Sequence, residues 1–434
     1  MKKNLSTAIT LGFALFAMFF GAGNLILPPY IGLLTGENWW SAVAGFFTTG
    51  IVAPFLGILM IVINGTSFAD IGKRIHPYLI TVLTFLIMMS IGPLVALPRT
   101  GATTFEVGVQ PIFPQVNNVL FSAFFFIVVY LLSFTKSKIV DIIGNILTPF
   151  LLVSLSVLVI VGIINSSTAA IVSEKTTAES FVYAFHQGYQ TMDVLASIVF
   201  AGIIISAAIE KGYTDYQKRF KITLGAGLIS MTALLFIYGG LIYLGAHAPS
   251  GYGEEVSRTE LLLGLSNAYV GPSGTRVIAV AVSFACLTTA IALASATGSF
   301  LSKLVKDKVP YSITLFLTCL LSFYLSIKSV DEIIEYAVAI LGFVYPITFI
   351  LILTLLFFGK YVQYKSPYMV AIVVSATFSS ISSLNSLGML SLEMQEFYAK
   401  IPFSQHQLEW VIPSFIGFFI AYLIARYNRN KTSI

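Results

Sequence analysis

In this chain of 434 residues, 57% are hydrophobic and 10% are Asp, Glu, Lys or Arg, whereas a soluble domain carries about a quarter charged residues. The formal charge of +5 reflects where basic residues fall along the chain and is no nucleic-acid footprint. Cys286 and Cys319 lie in apolar stretches and exclude an extracellular disulfide framework, and the scattered His76, His186, His247 and His406 spell no metal cluster.

Apolar runs long enough to cross a bilayer recur along the whole length. They predict an all-α integral membrane protein of twelve spans, at roughly 6–33, 41–63, 78–98, 117–134, 143–165, 190–209, 222–246, 275–300, 310–327, 333–358, 367–390 and 409–426. With the N-terminus inside, the outer segments hold only Arg99, Lys175, Arg258, Arg276, Lys328 and Lys400, leaving 18 of the 24 basic residues on the cytoplasmic side. Both termini are therefore expected in the cytoplasm, in the cytoplasmic (inner) membrane of the cell. Lys2-Lys3 and the run that follows resemble a signal peptide, but the run is too long and lacks a cleavage pattern, so it is expected to stay as span 1.

Span 1 is interrupted mid-course by Gly21-Ala22-Gly23-Asn24, with Pro28-Pro29 soon after. Glycines at that depth make a continuous helix costly, and freed backbone groups in lipid need protein or a cavity to satisfy them. Backbone N–H groups at Ala22 and Gly23 are expected to open an outer half-helix whose positive end suits a carboxylate, and carbonyls around Ala17 to Phe20 to face a cation. The plainer reading is close helix packing through small residues; Asn24 and the double proline favour the site.

Span 3 ends with Gly92-Pro93, Leu97-Pro98-Arg99-Thr100 and Phe105-Glu106. Arg99 reads either as a vestibule residue paired with Glu106 or as a side chain snorkelling to the headgroups, and it stays outside the site set. Span 5 contains no lysine to replace a metal as a fixed charge. Span 6 opens with Gly188-Tyr189-Gln190-Thr191-Met192-Asp193, a second interruption five spans after the first. An odd number of spans per repeat inserts the second copy upside down, and matched breaks point to a midplane site. Asp193 is an ionisable group at membrane depth, functional by default: it meets a substrate ammonium, binds a coupling ion, relays a proton, or caps its own helix. The repeats are expected at 1–165 and 166–358, with 359–434 holding two further helices and a cytoplasmic tail.

In span 8, Ala285-Cys286-Leu287-Thr288-Thr289 offers two hydroxyls and a carbonyl to one hard cation, against the usual habit of membrane threonines of bonding back to their own helix. Among the longer outer segments, 165–189, 248–274 and 391–409, Thr259 to Tyr269 has helical spacing and is expected to lie flat as a lid or packing element.

Met18 to Leu25 with Pro28-Pro29, Gly92-Pro93 with Leu97 to Thr100, Gly188 to Asp193, and Ala285 to Ala290 together resemble the signatures of the branched-chain amino acid:cation symporter family of bacteria. The resemblance runs from the first span to the last. It implies the LeuT-like five-plus-five inverted repeat with discontinuous helices 1 and 6. It also implies a sodium ion held by Ala17, Phe20, Ala285, Thr288 and Thr289, with Ala22 and Gly23 on the substrate carboxylate and carbonyls near Gly188–Gln190 on the ammonium.

The expected function is a sodium-coupled symporter importing leucine, isoleucine and valine by alternating access, with Gly21, Ala22, Gly23, Asn24, Gly188, Tyr189, Gln190, Thr191 and Asp193 at the substrate. A proton-coupled carrier of the same fold is the alternative. A channel lacks its continuous polar pore, and a membrane enzyme lacks a nucleophile or acid–base pair near one face. The partners expected are the amino acid and the bilayer, with no nucleic acid and no obligate protein.

Overall fold

A computed structural model describes residues 2–65, 68–134, 138–166, 169–253 and 255–432. All regular structure among them is helical. Eight helical stretches are long and apolar enough to cross a membrane: Leu27–Asn64, Pro77–Val109, Asp193–Glu210, Tyr216–Ala246, Arg258–Leu304, Val330–Phe358, Ser366–Ser386 and Val411–Arg429. Four shorter apolar helices accompany them, Asn4–Phe19, Asn118–Phe134, Pro149–Asn165 and Tyr311–Ser326. Side chains such as Leu120, Phe124, Ile127, Val153, Phe316 and Leu317 stay exposed on the outside of this bundle, as a lipid-facing surface requires. Hydroxyls inside the spans bond back one turn, as Thr318 does to the Thr314 carbonyl and Ser322 to that of Thr318, so they cost little in an apolar setting.

The first helix, Lys2–Phe19, packs along Tyr216–Ala246, and the helix beyond the break, Leu27–Thr35, packs on the same partner. Gly32 and Gly245 make the second contact possible. A β-carbon on either would strike the opposing backbone, at the carbonyls of Ile242 and Pro29, so these helices touch main chain to main chain. Asp193–Glu210 lies against Ala53–Asn64 and the first helix, with the Phe19 and Phe200 rings 6.1 Å apart. Phe200 therefore sits on the side of the break that carries the N-terminus.

Three interruptions shape the interior. In the first span, helix ends at Phe19, a short 3₁₀ turn covers Ala22–Asn24, and the second half-helix starts only at Leu27. That start lies later than Ala22 or Gly23, because Pro28 and Pro29 occupy its first turn, where a missing N–H is not needed. In the third span, Gly92 leaves helical geometry (φ −89°, ψ −122°) ahead of Pro93. The Tyr336 hydroxyl donates to the Leu94 carbonyl at 2.8 Å, satisfying a group beside the kink. In the sixth, Thr177–Gln187 runs into a 3₁₀ turn, Gly188–Thr191, then a left-handed Met192 (φ 58°), before Asp193–Glu210 resumes.

On the far side from the N-terminus, Thr177–Gln187 starts with a capping box between Thr176 and Glu179 and packs on Trp39–Phe46. The segment expected to lie flat is helical and merges, through a turn at Gly271 and Pro272, with the long helix ending at Leu304. Its Leu261, Leu262 and Leu265 are fully buried. Glu106 ties it to two neighbours, accepting from the Thr259 hydroxyl and the Val330 amide, both at 2.8 Å, and Arg258 forms an ion pair with Asp331.

Candidate functional site

The first and sixth interruptions meet. Asn24, at the end of the 3₁₀ turn in span 1, donates its amide to both carboxylate oxygens of Asp193 at 3.3 Å. The same amide's oxygen accepts from Arg99 Nη2 at 2.9 Å, and Arg99 Nη1 donates to the Gln190 carbonyl at 2.7 Å. Arg99 thus bridges one broken helix to the other. All four residues are buried, none more than 5% exposed. Gly23 makes the approach possible, since a β-carbon there would stand 3.2 Å from Arg99 Nε.

Asn24, Arg99 and Asp193 line a cavity of about 50 Å³ together with Met18, Gly21, Gly23, Ile91, Ala96, Thr100, Thr191, Met192, Ala196, Phe200, Thr289 and Leu293. Asn24, Thr191 and Asp193 bring polar groups from the two breaks to it, and Met18 and Phe200 line it on the N-terminal side. By the same measure one water needs about 10–15 Å³. The space fits a few waters, so admitting an amino acid requires the lining side chains to move.

Of the residues named from sequence, Gly21, Gly23, Asn24, Thr191, Asp193 and Thr289 share this cavity. Ala22 belongs to the same turn. Gln190 reaches the network through its carbonyl, and Thr191 Oγ1 is held by donating to the Gly188 carbonyl at 2.9 Å. Gly188 and Tyr189 face elsewhere. Gly188 is pressed against Thr49 and Gly50, and the Tyr189 ring stacks on Tyr345 with centroids 4.0 Å apart. In a 3₁₀ turn successive side chains point about a third of a circle apart, so only part of the stretch looks into the cavity.

Thr289 is the member of the expected cation set that lines the cavity; Ala17, Phe20, Ala285 and Thr288 do not. Thr288 Oγ1 donates to the Ala285 carbonyl at 3.0 Å, the back-bond that membrane threonines favour, and its oxygen keeps lone pairs for an ion. The Phe20 ring stacks on Phe16 and leans on Tyr238, at 4.6 and 5.8 Å.

Two readings change. Asp193 does not cap its own helix: Met192 is the capping residue without a side-chain bond, and the carboxylate accepts from the Asn24 amide instead. Arg99 neither snorkels nor pairs with Glu106, whose oxygens are taken by Thr259 and Val330. It is the site residue that sequence reasoning left out. The signal lay in Gly92-Pro93, because the kink there turns Ala96–Thr103 so that Arg99 enters the bundle. Cys286 and Cys319 are free and buried, and no group of three His, Cys, Asp or Glu gathers to hold a metal among the described residues.

Residues 4–428 match the family described as branched-chain amino acid transport protein. The chain belongs to this family. It is 33% identical over 436 residues to the branched-chain amino acid permease BraB of Bacillus subtilis (strain 168), covering 98% of each chain. Among solved structures it is similar to Mhp1, a nucleobase-cation-symport-1 family transporter in a closed conformation with bromovinylhydantoin bound. That likeness has a TM-score of 0.60 at 13% identity and covers 95% of this chain and 91% of that one. It is likewise similar to MhsT in complex with L-phenylalanine, with a TM-score of 0.55, 16% identity, and coverage of 95% and 98%. Likeness at such identities establishes the fold alone. The branched-chain amino acid transport family is one of transporters and not of enzymes, so this chain is a multi-pass membrane transporter.

Proposed function

We propose that this chain is a secondary active symporter that couples downhill sodium entry to import of leucine, isoleucine or valine by alternating access. The observation that carries the proposal is the meeting of two helix breaks, Gly21–Asn24 and Gly188–Asp193, across a buried polar network beside an apolar-walled cavity. Interrupted helices that face each other at membrane depth are where carriers hold solutes. In this proposal twelve crossings form two inverted repeats, 1–165 and 166–358, followed by the helices of 359–434, with both termini in the cytoplasm. The names of relatives such as BraB support the branched-chain substrate.

Sodium enters as a co-substrate, held between spans 1 and 8 by the carbonyls of Ala17, Phe20 and Ala285 and the hydroxyls of Thr288 and Thr289. A cation there organises the contact between the spans and raises leucine affinity, and leucine then tightens sodium binding by the same factor. Leucine uptake into proteoliposomes is expected to collapse when an inward sodium gradient is replaced by choline. Thr289→Ala is expected to raise the sodium concentration for half-maximal uptake several-fold, while leucine recognition at saturating sodium changes less.

One observation favours a second reading, proton coupling. The Arg99 guanidinium lines the same cavity as Thr289, which disfavours a neighbouring metal ion by like-charge repulsion, and Asp193 is a buried carboxyl beside it. Uptake driven by a proton gradient without sodium, and lost in Asp193→Asn, would establish that reading in place of sodium coupling.

A further inference from the structure

We infer that Arg99 and Asp193 form the two poles of a clamp for the zwitterionic head of an α-amino acid, with Arg99 taking the carboxylate and Asp193 the ammonium. This rests on the amino-acid reading above and adds the residues that read the two charges. A buried arginine and aspartate at membrane depth are expensive, and the cheapest arrangement is a direct pair. Here they do not pair: the neutral amide of Asn24 stands between them, bonded to each. Holding opposite charges apart leaves both with bonding capacity. Arg99 spends two of its N–H donors, on Gln190 and Asn24, out of the five a guanidinium carries. Asp193 receives two long contacts of 3.3 Å from the Asn24 amide, and the nearby Thr191 hydroxyl is shared with the Gly188 carbonyl.

Both residues open onto the same cavity. An α-amino acid is the small solute whose opposite charges sit on adjacent substituents of one carbon, matching two poles that one amide separates. The planar fork of Arg99 suits a carboxylate, to which it binds more specifically than a point charge does. The Gln190 carbonyl already receives Arg99, so the carboxylate of Asp193 is the stronger acceptor for the ammonium. Met18, Ile91, Phe200 and Leu293 give the side chain an apolar wall. The clamp therefore selects free α-amino acids with aliphatic side chains and rejects compounds lacking either charge.

The test measures binding of leucine, leucinamide and 4-methylpentanoate to the purified full-length chain in nanodiscs, with Arg99→Gln, Arg99→Lys and Asp193→Asn beside it. In the wild type, leucinamide and 4-methylpentanoate are each expected to bind at least about tenfold more weakly than leucine, the worth of a charge-assisted hydrogen bond. Arg99→Gln should lower leucine affinity at least tenfold while leaving leucinamide within about threefold, so that their ratio collapses. Arg99→Lys should restore part of the ratio. Asp193→Asn should collapse the ratio of leucine to 4-methylpentanoate instead.

A merely structural role predicts equal losses for all three ligands and unchanged ratios, and that result overturns the clamp. Should the variants not fold, the wild type decides: leucinamide binding as tightly as leucine overturns it equally. A wild-type chain that neither binds nor transports any branched-chain amino acid fails the underlying function, and the clamp with it.

Discussion

Asn24 concentrates the electrostatics of the site in one side chain. Its oxygen faces a cation and its nitrogen an anion, so either pole loses a partner if the amide goes. A buried group left without its partner costs about 1–3 kcal/mol, more when charged. Asn24→Ala is therefore expected to lower stability by about that amount in a detergent unfolding assay. It should also weaken leucine binding at least about tenfold, and an unchanged affinity would remove Asn24 from the site. Met192, beside the same cavity, holds a left-handed conformation that a non-glycine residue pays for at about 1–3 kcal/mol. That strain turns the chain sharply enough to put Asp193 at the head of its helix facing Asn24.

At the scale of elements, the interruptions work by moving helix ends to where they are needed. The Gly92-Pro93 kink brings Arg99 inward, and the tie of Glu106 to Thr259 and Val330 secures the far end of the same span. The Thr177–Gln187 helix is secured differently, by hydrophobic and aromatic packing that carries one titratable ring. His186 packs edge-on to Phe185 and Tyr189, and its Nε2 bonds the carbonyl of His406.

For the whole molecule, Met18 and Phe200 put apolar lining of the cavity on the N-terminal side, while Thr177–Gln187 lies beyond the sixth interruption on the other. Both native cysteines are buried, so a new thiol reports on access cleanly. Met18→Cys is expected to react with a membrane-impermeant maleimide in inside-out vesicles and not in right-side-out ones, with leucine slowing the reaction. Labelling from the opposite face would reverse the proposed orientation of the termini.

Composition and hydropathy alone were enough to specify a helical membrane protein, because a bilayer admits few other ways to satisfy a backbone. The glycines at 21 and 23 and the polar run at 188–193 likewise marked the broken helices, since a break at that depth has a local chemical signature. Which side chains look into the cavity had no such signature. Gly188 and Tyr189 lie within three positions of Thr191 in sequence yet pack away from the cavity, and the partner of Asp193 lies 169 residues back. Arg99 resembled an interfacial residue until the Gly92 kink and the approach of three helices placed its guanidinium between two breaks. Distance along the chain carries no information about such meetings, and only the packing of helix on helix decided them.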